Sequence, residues 1–195
     1  MSELAHDRFA IVSSDTDQLI LVNSQDEAIG TADKLLCHDG EGILHRAFSI
    51  LLFNTKGELL LQQRASAKRL WGGFWSNTCC SHPREGENMA DASVRRLWEE
   101  LGIKAKLHFL YKFEYHAQFG DEGAEHELCW VYVGISDDEP SPNANEVSDW
   151  RYLSMDDLEC ELAMQTDAYT PWFKMEWQVI KQQYATRLAQ LIAEQ

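Results

Sequence analysis

Asn77-Thr78-Cys79-Cys80-Ser81-His82-Pro83 sets a thiol and an imidazole two residues apart, just ahead of a segment closing on Arg95-Arg96-Leu97-Trp98-Glu99-Glu100-Leu101-Gly102-Ile103. Between residues 88 and 101, Ala90, Val94, Leu97 and Leu101 recur at helical spacing, and Gly102 supplies a left-handed stop. The pattern predicts an amphipathic helix with those four residues on its apolar face. Glu87 stands upstream, where a carboxylate favours a helix N-terminus. Two readings of the helix end stay open. Glu99 and Glu100 form a solvated face, paired at i,i+4 with Arg95 and Arg96, or they belong to a site in which carboxylates hold a cation and a guanidinium clamps a phosphate.

Around this stretch the chain reads as an α+β domain. Gln18 to Asn23 is a short strand, and residues 47–53 and 58–64 are two strands joined through a glycine-containing hairpin loop at Gly57. Residues 103–115 and 127–135 read as further strands, separated by the polar loop around Gly120-Asp121-Glu122-Gly123. Ser154 caps a short helix, and Thr170-Pro171 opens a long terminal one carrying Trp172, Met175, Val179, Tyr184, Leu188 and Leu191. Strands, an internal helix, more strands and then helices predict a mixed, largely antiparallel sheet with helices on its faces. Residues 1–15 read as a loose polar arm ahead of a single domain over 16–195.

Composition narrows the partners. A formal net charge of -15 over 195 residues argues against nucleic acid or an anionic membrane surface, so an anionic ligand must be small and locally clamped. No apolar run is long enough to span a bilayer, and the first residues lack a signal-peptide layout, which predicts a soluble cytoplasmic protein. Five cysteines without a C-x-x-C pair fit reduced thiols.

Glu125 and Glu127, one residue apart at the start of a predicted strand, share a face while His126 points away. Two carboxylates on one face repel unless a cation sits between them, and His38, His45 and His82 can complete its shell. Five mixed N/O ligands exceed the usual four of structural zinc, so manganese and a higher-coordinate zinc both stay open. Taken singly, each of these has a plainer reading: scattered surface histidines, a solvated acidic loop end, surface charges at Lys34, Arg64, Lys68 and Arg96, a core cysteine at Cys80 and a core tryptophan at Trp172.

The ordered set is not plain. Residues 81–103 follow the pyrophosphohydrolase box of the Nudix superfamily at Glu87, Arg95, Leu97, Glu99, Glu100, Gly102 and Ile103, departing at Ser81, where the box has glycine, and at Arg96, where it has glutamate. Lys34 with Cys37-His38 and His45, Arg64 with Lys68, Trp71-x-Gly73-x-Trp75-x-Asn77-x-x-Cys80-x-His82-Pro83, Tyr115, Glu125-x-Glu127-x-Cys129 and Ala168-Tyr169-Thr170-Pro171-Trp172 complete a likeness running from about residue 18 nearly to the end. In this set the chain resembles the type I isopentenyl-diphosphate isomerases, cysteine-dependent enzymes of Nudix fold. The resemblance implies interconversion of isopentenyl and dimethylallyl diphosphate, in isoprenoid biosynthesis, through a carbocation-like intermediate. It implies that Cys80 and Glu127 lie on opposite faces of the carbon skeleton, that Tyr115 relays the carboxylate's proton, and that Trp172 turns its ring to the cation. It implies a divalent metal on His38, His45, His82, Glu125 and Glu127, a magnesium ion shared between Glu100 and the substrate diphosphate, and Lys34, Arg64, Lys68 and Arg96 near that diphosphate. Two other readings share parts of this set. A Nudix hydrolase needs a carboxylate where Arg96 stands, and a silent zinc-binding module leaves Cys80, Tyr115 and Trp172 without a role. The oligomeric state is left open.

Overall fold

The structure is a computed structural model and describes residues 6–194. The expected α+β architecture is what the chain adopts: nine strands, among the described residues, form one mixed sheet between helices. Its spine is β3 (His45–Phe53), antiparallel to β1 (Gln18–Val22), β4 (Leu59–Arg64) and β6 (Cys79–Ser81), and parallel to β8 (Gly123–Ile135). Beside β1 runs β2 (Ala28–Asp33), beside β8 runs β7 (Leu107–Phe119), and β4 carries β5 (Trp75–Ser76) and β9 (Val147–Leu153).

A strand buried on both faces reads as a continuous apolar run, and β3 is one. Ala47, Leu51 and Phe53 face a core shared with the C-terminal helices, while Phe48, Ile50 and Leu52 face a core built with α2 (Met89–Leu101). Ser49 falls between Ala47 and Leu51 on the first face. Parallel register sets His45 beside Glu127 and Ala47 beside Cys129, so that one end of this face is polar and the rest apolar.

Several expectations need correction. In α2 the caps fall where predicted, with the Asn88 side chain accepting from Asp91 N and Gly102 left-handed at φ 68°, but Ala90 and Val94 are exposed. The buried face holds Ala92, Ser93, Arg96, Leu97, Glu100 and Leu101. Burying an Arg–Glu pair rotates the helix away from its most apolar stripe. The strands expected at 103–115 and 127–135 run at 107–119 and 123–135, because polar residues at the hairpin end are site residues with partners across the ladder and do not mark a loop. The predicted hairpin of β3 and β4 pairs at only two positions and then splays. Thr78 fills the gap: its hydroxyl accepts from Leu52 N at 2.8 Å and donates to Leu60 O at 2.6 Å. The terminal helix is α4 (Pro171–Val179), a π turn over Ile180–Tyr184, and α5 (Ala185–Ala193), with Met175 partly exposed and Glu176 buried. Between β9 and α4 lies α3 (Met155–Met164), capped by Ser154 as expected.

Of the N-terminal arm, residues 1–5 lie outside the described residues. From residue 6 onward it crosses one end of the cavity described below, where Asn145 Nδ2 donates to Phe9 O, Asn143 Nδ2 to Ala10 O and Arg96 Nη1 to Val12 O. Among the described residues no helix is long and apolar enough to cross a membrane.

Candidate active site

Where β3 splays from β4, β6 inserts, and its Cys80 and Ser81 help line a cavity of about 300 Å³. Asn77 and Thr78 wedge into that splay, Asn77 Nδ2 donating to Ile50 O and Cys79 O, and this turns the next residues onto β3 in antiparallel register. Cys79 then pairs with Ile50 and Cys80 with Ser49. Alternation separates the two thiols: Cys79 is buried in the α2 core, whereas Cys80 lines the cavity. Its S–H donates to Asn77 Oδ1 at 2.8 Å, and its sulfur lies 3.1 Å from Ser49 Oγ. Burial and then the Glu176 carboxyl push the thiol well above its usual pKa, against the Ser49 and Asn77 hydrogen bonds.

Three histidines and two glutamates converge on one side of the cavity. The ligand atoms of His38, His45, His82, Glu125 and Glu127 lie within 4.8 Å of one another. The backbone fixes two of the rings: His38 Nδ1 donates to Lys34 O and His45 Nδ1 to Ile43 O, both at 2.7 Å, which turns each Nε2 inward. His45 Nε2 and His82 Nε2 then face each other at 3.1 Å, and His82 Nε2 stands 3.1 Å from Glu127 Oε1. His38 Nε2 approaches Glu125 Oε2 to 2.8 Å, yet that oxygen is buried without a hydrogen bond. A protonated His38 would point its N–H at the oxygen; lone pairs aimed past each other at a common centre suit a divalent cation. Burial holds His82 neutral, with its pKa down to about 3, as a ligand must be. Burial opposes ionisation of Glu127, but the imidazoles of His45 and His82 beside it outweigh burial and hold the carboxyl well below the usual range. Glu127 Oε2 also accepts from Tyr115 OH at 2.7 Å across the β7–β8 ladder.

Gly123 lets this side close. At φ 146° it passes so near the His38 loop that a Cβ there would meet His38 O at 2.2 Å, and Ala124 N donates to the same carbonyl at 3.1 Å.

The cavity is also cationic. Lys34, Arg64, Lys68 and Arg96 all line the cavity. Arg64 Nε and Arg96 Nε are buried donors with no hydrogen-bond partner, the condition of a clamp prepared for an anion. Burial, then Lys68 close by, lowers the pKa of Lys34. Lys34 begins the short helix α1 (Lys34–Cys37), whose C-cap is His38, so one turn of chain serves both sets of residues. Glu100 does not reach the cavity wall; it sits behind Arg96, Oε1 accepting from Arg96 Nη2 at 2.7 Å. The residue that does is Glu146, ion-paired with Lys68 and 3.4 Å from Arg96 Nη2. Sequence reasoning missed Glu146, and Glu176 too, because neither belongs to a spacing pattern. Glu99 is tied to Arg95 at 2.9 Å and Glu87 to Arg95 at 2.7 Å, while Arg96 and Glu100 form their i,i+4 pair almost wholly out of solvent, which excludes a solvated face for that pair.

Trp172 lines the same cavity from the first turn of α4, where Pro171 starts the helix. Its Nε1 donates to Ser76 Oγ at 3.1 Å, Trp71 packs edge-on at 5.1 Å, and the Arg64 guanidinium lies over the ring at 5.3 Å. Trp71 holds that position at φ 49°, a strained backbone for an aromatic residue.

Comparison with known proteins gives the family. Residues 43–173 match the NUDIX domain. The isopentenyl-diphosphate Delta-isomerase 1 of Photorhabdus laumondii is 41% identical over 88% of this chain and 99% of its own length. The isopentenyl-diphosphate Delta-isomerase of Burkholderia multivorans is 44% identical over 80% of this chain and 89% of its own. Among solved structures, DR0079 from Deinococcus radiodurans superposes with a TM-score of 0.63 at 24% identity, covering 76% of this chain and 90% of its own, a likeness of fold. At this identity, sustained over nearly whole relatives, the chain belongs to the isopentenyl-diphosphate Delta-isomerase family of NUDIX-domain proteins.

Proposed function

We propose that the cavity interconverts isopentenyl diphosphate and dimethylallyl diphosphate by antarafacial proton transfer, with Cys80 on one face of the carbon skeleton and Glu127 on the other. The observation that carries this reading is a single cavity lined by the Cys80 thiol, the Tyr115-bonded Glu127 carboxyl and the cations Lys34, Arg64, Lys68 and Arg96. A diphosphate anchored on Lys34, Arg64, Lys68 and Arg96 lays its short carbon chain between the thiol and the carboxyl. One group adds a proton to the alkene and the other removes one from the carbon across the centre. Tyr115 passes protons to and from Glu127. Trp172 presents its ring to the tertiary cation, worth on the order of 2 kcal/mol in a site without water, and the apolar wall around it keeps out water that would quench the cation. His38, His45, His82, Glu125 and Glu127 would hold a manganese or zinc ion that neutralises the paired carboxylates, and a magnesium ion near Glu100 would accompany the diphosphate. Five free thiols support a reducing, cytoplasmic setting.

Incubation with isopentenyl diphosphate and magnesium in deuterated water tests the reading. The expected product is dimethylallyl diphosphate carrying solvent deuterium on a methyl group, without free phosphate. Release of phosphate or pyrophosphate at the rate of substrate loss, with no deuterated allylic product, would restore the hydrolase.

A further inference from the structure

Arg69 lines the cavity beside Lys68, yet its guanidinium is spent on backbone, Nη2 donating to His38 O at 2.8 Å. No step above uses it. Its plain reading is a surface arginine paired with Asp39, but that contact, Nη1 to Oδ1 at 3.5 Å, joins two exposed side chains and is worth little. The carbonyl is the contact that matters, because it belongs to one of the five residues whose ligand atoms converge.

The His38 turn has little to hold it from within. Helix α1 is four residues long, far short of the length at which a helix stands alone, and the chain beyond it passes through two left-handed glycines, Gly40 and Gly42. Lys34 N and Leu35 N tie the start of α1 to Asp17 O and Asp15 O. Its His38 end is tied by two donors to one carbonyl. Ala124 N, next in the chain to Glu125, takes one lone pair of His38 O at 3.1 Å, and Arg69 Nη2 takes the other. Gln118 Nε2 and the His116 ring hold Gly40 O and Glu41 O, past the ligand and not at it.

Arg69 suits this task because its own backbone is stiff. Lys68 N donates to Ala65 O, Arg64 Nη2 to Leu70 O and Gly73 N to Arg64 O, and a Cβ on Gly72 would meet Lys68 O and Ser66 O at 2.7 Å. We infer that Arg69 is a positioning residue for His38, bracing its turn against β8 so that Nε2 faces Glu125 Oε2. The inference rests on the metal reading of that cluster. Charge and position predict opposite signs here. A cation near the cluster repels a divalent ion, so loss of Arg69 through charge alone would tighten metal binding, whereas loss of a brace loosens it.

Wild type, Arg69→Met, Arg69→Lys and Asp39→Asn, each as the full chain loaded with manganese(II) or zinc(II), test it. The readouts are the chelator concentration that removes half of the bound ion, and isomerase kcat and KM at limiting and saturating metal. Arg69→Met keeps the apolar stem and is expected to hold the ion about 10-fold more weakly. Its kcat falls at limiting metal and returns to within about 2-fold of wild type at saturation. Arg69→Lys, whose ammonium can reach the same carbonyl, stays within about 3-fold of wild type in metal affinity, and Asp39→Asn within about 2-fold. A methionine variant that holds metal as tightly as wild type, or more tightly, overturns the inference. So does a lysine or an asparagine as damaging as the methionine, or a loss of kcat that saturating metal leaves in place. A wild type that binds neither ion overturns the metal reading of the cluster instead.

Discussion

Cys79 and Cys80 are adjacent, chemically identical, and both held protonated by burial, yet the pleat of β6 sends one into the α2 core and the other to the cavity wall. Their substitutions should separate cleanly. Cys80→Ala is expected to lower turnover by roughly 10³-fold or more while pyrophosphate binding, which depends on cations elsewhere, changes less than about 2-fold. Cys79→Ala is expected to leave turnover within about 3-fold and to cost about 1 kcal/mol of stability for the buried sulfur. Steady-state kinetics beside urea melts of both variants check the pair, and a ranking with Cys79 above Cys80 in turnover overturns the assignment of the thiol. The motif and the resemblance it carries already point to Cys80 rather than Cys79. The motif could not show why, because the choice is made by Asn77 and Thr78, whose side chains replace missing backbone pairing between β3 and β4 and so set the register.

The order of strands and helices, the caps of α2 and the Ser154 cap of α3 could be read from local chemistry, since caps and turns are decided by a few neighbouring residues. Which face of α2 is buried could not. Apolar periodicity points to Ala90 and Val94, and the fold buries Arg96 and Glu100, whose burial is repaid by their own pairing and by distant partners such as Glu146 and Val12 O. The β7–β8 hairpin was underestimated for the same reason. Its polar end looks like loop until the His38 carbonyl and the histidine cluster are seen to require it. Gly123 tests that dependence on the hairpin. Gly123→Ala must displace the His38 loop, so the purified variant is expected to lose most of its tightly held transition metal, as His82→Ala does by losing a ligand. Gly120→Ala, on the same turn with open space around it, costs only about 1 kcal/mol of backbone strain and keeps the metal. Elemental analysis of the folded variants checks this. Equal metal in wild type and His82→Ala would remove the metal site, and equal metal in wild type and Gly123→Ala would remove the argument from the close approach.

Across the whole molecule, an acidic protein of net charge -15 gathers five of its cations, Lys34, Arg64, Lys68, Arg69 and Arg96, at one cavity and keeps a carboxylic acid, Glu176, in the core. That acid links stability to pH in a direction opposite to most carboxylates. The unfolded chain releases the Glu176 proton near pH 4.5, and the folded chain keeps it until about pH 8, so between those values the folded state binds more protons. Stability contributed at this position is therefore fully present below about pH 4.5 and is lost as pH rises toward about 8. The loss is bounded by on the order of 5 kcal/mol, reduced by whatever relaxation or water entry accompanies ionisation. Cys80, Cys129 and Tyr111 face the same carboxyl and stay protonated across this range, and Glu127 is a charge already in place, so Glu176 is the group that changes. Glu176→Gln removes the proton exchange and keeps the shape. Urea melts of wild type and Glu176→Gln are expected to agree within about 1 kcal/mol at pH 5 and to diverge steadily by pH 8.5 with the glutamine variant the more stable. A difference between the two curves that stays constant over that range would mean the carboxyl ionises freely in the folded chain, and the buried acid would not exist.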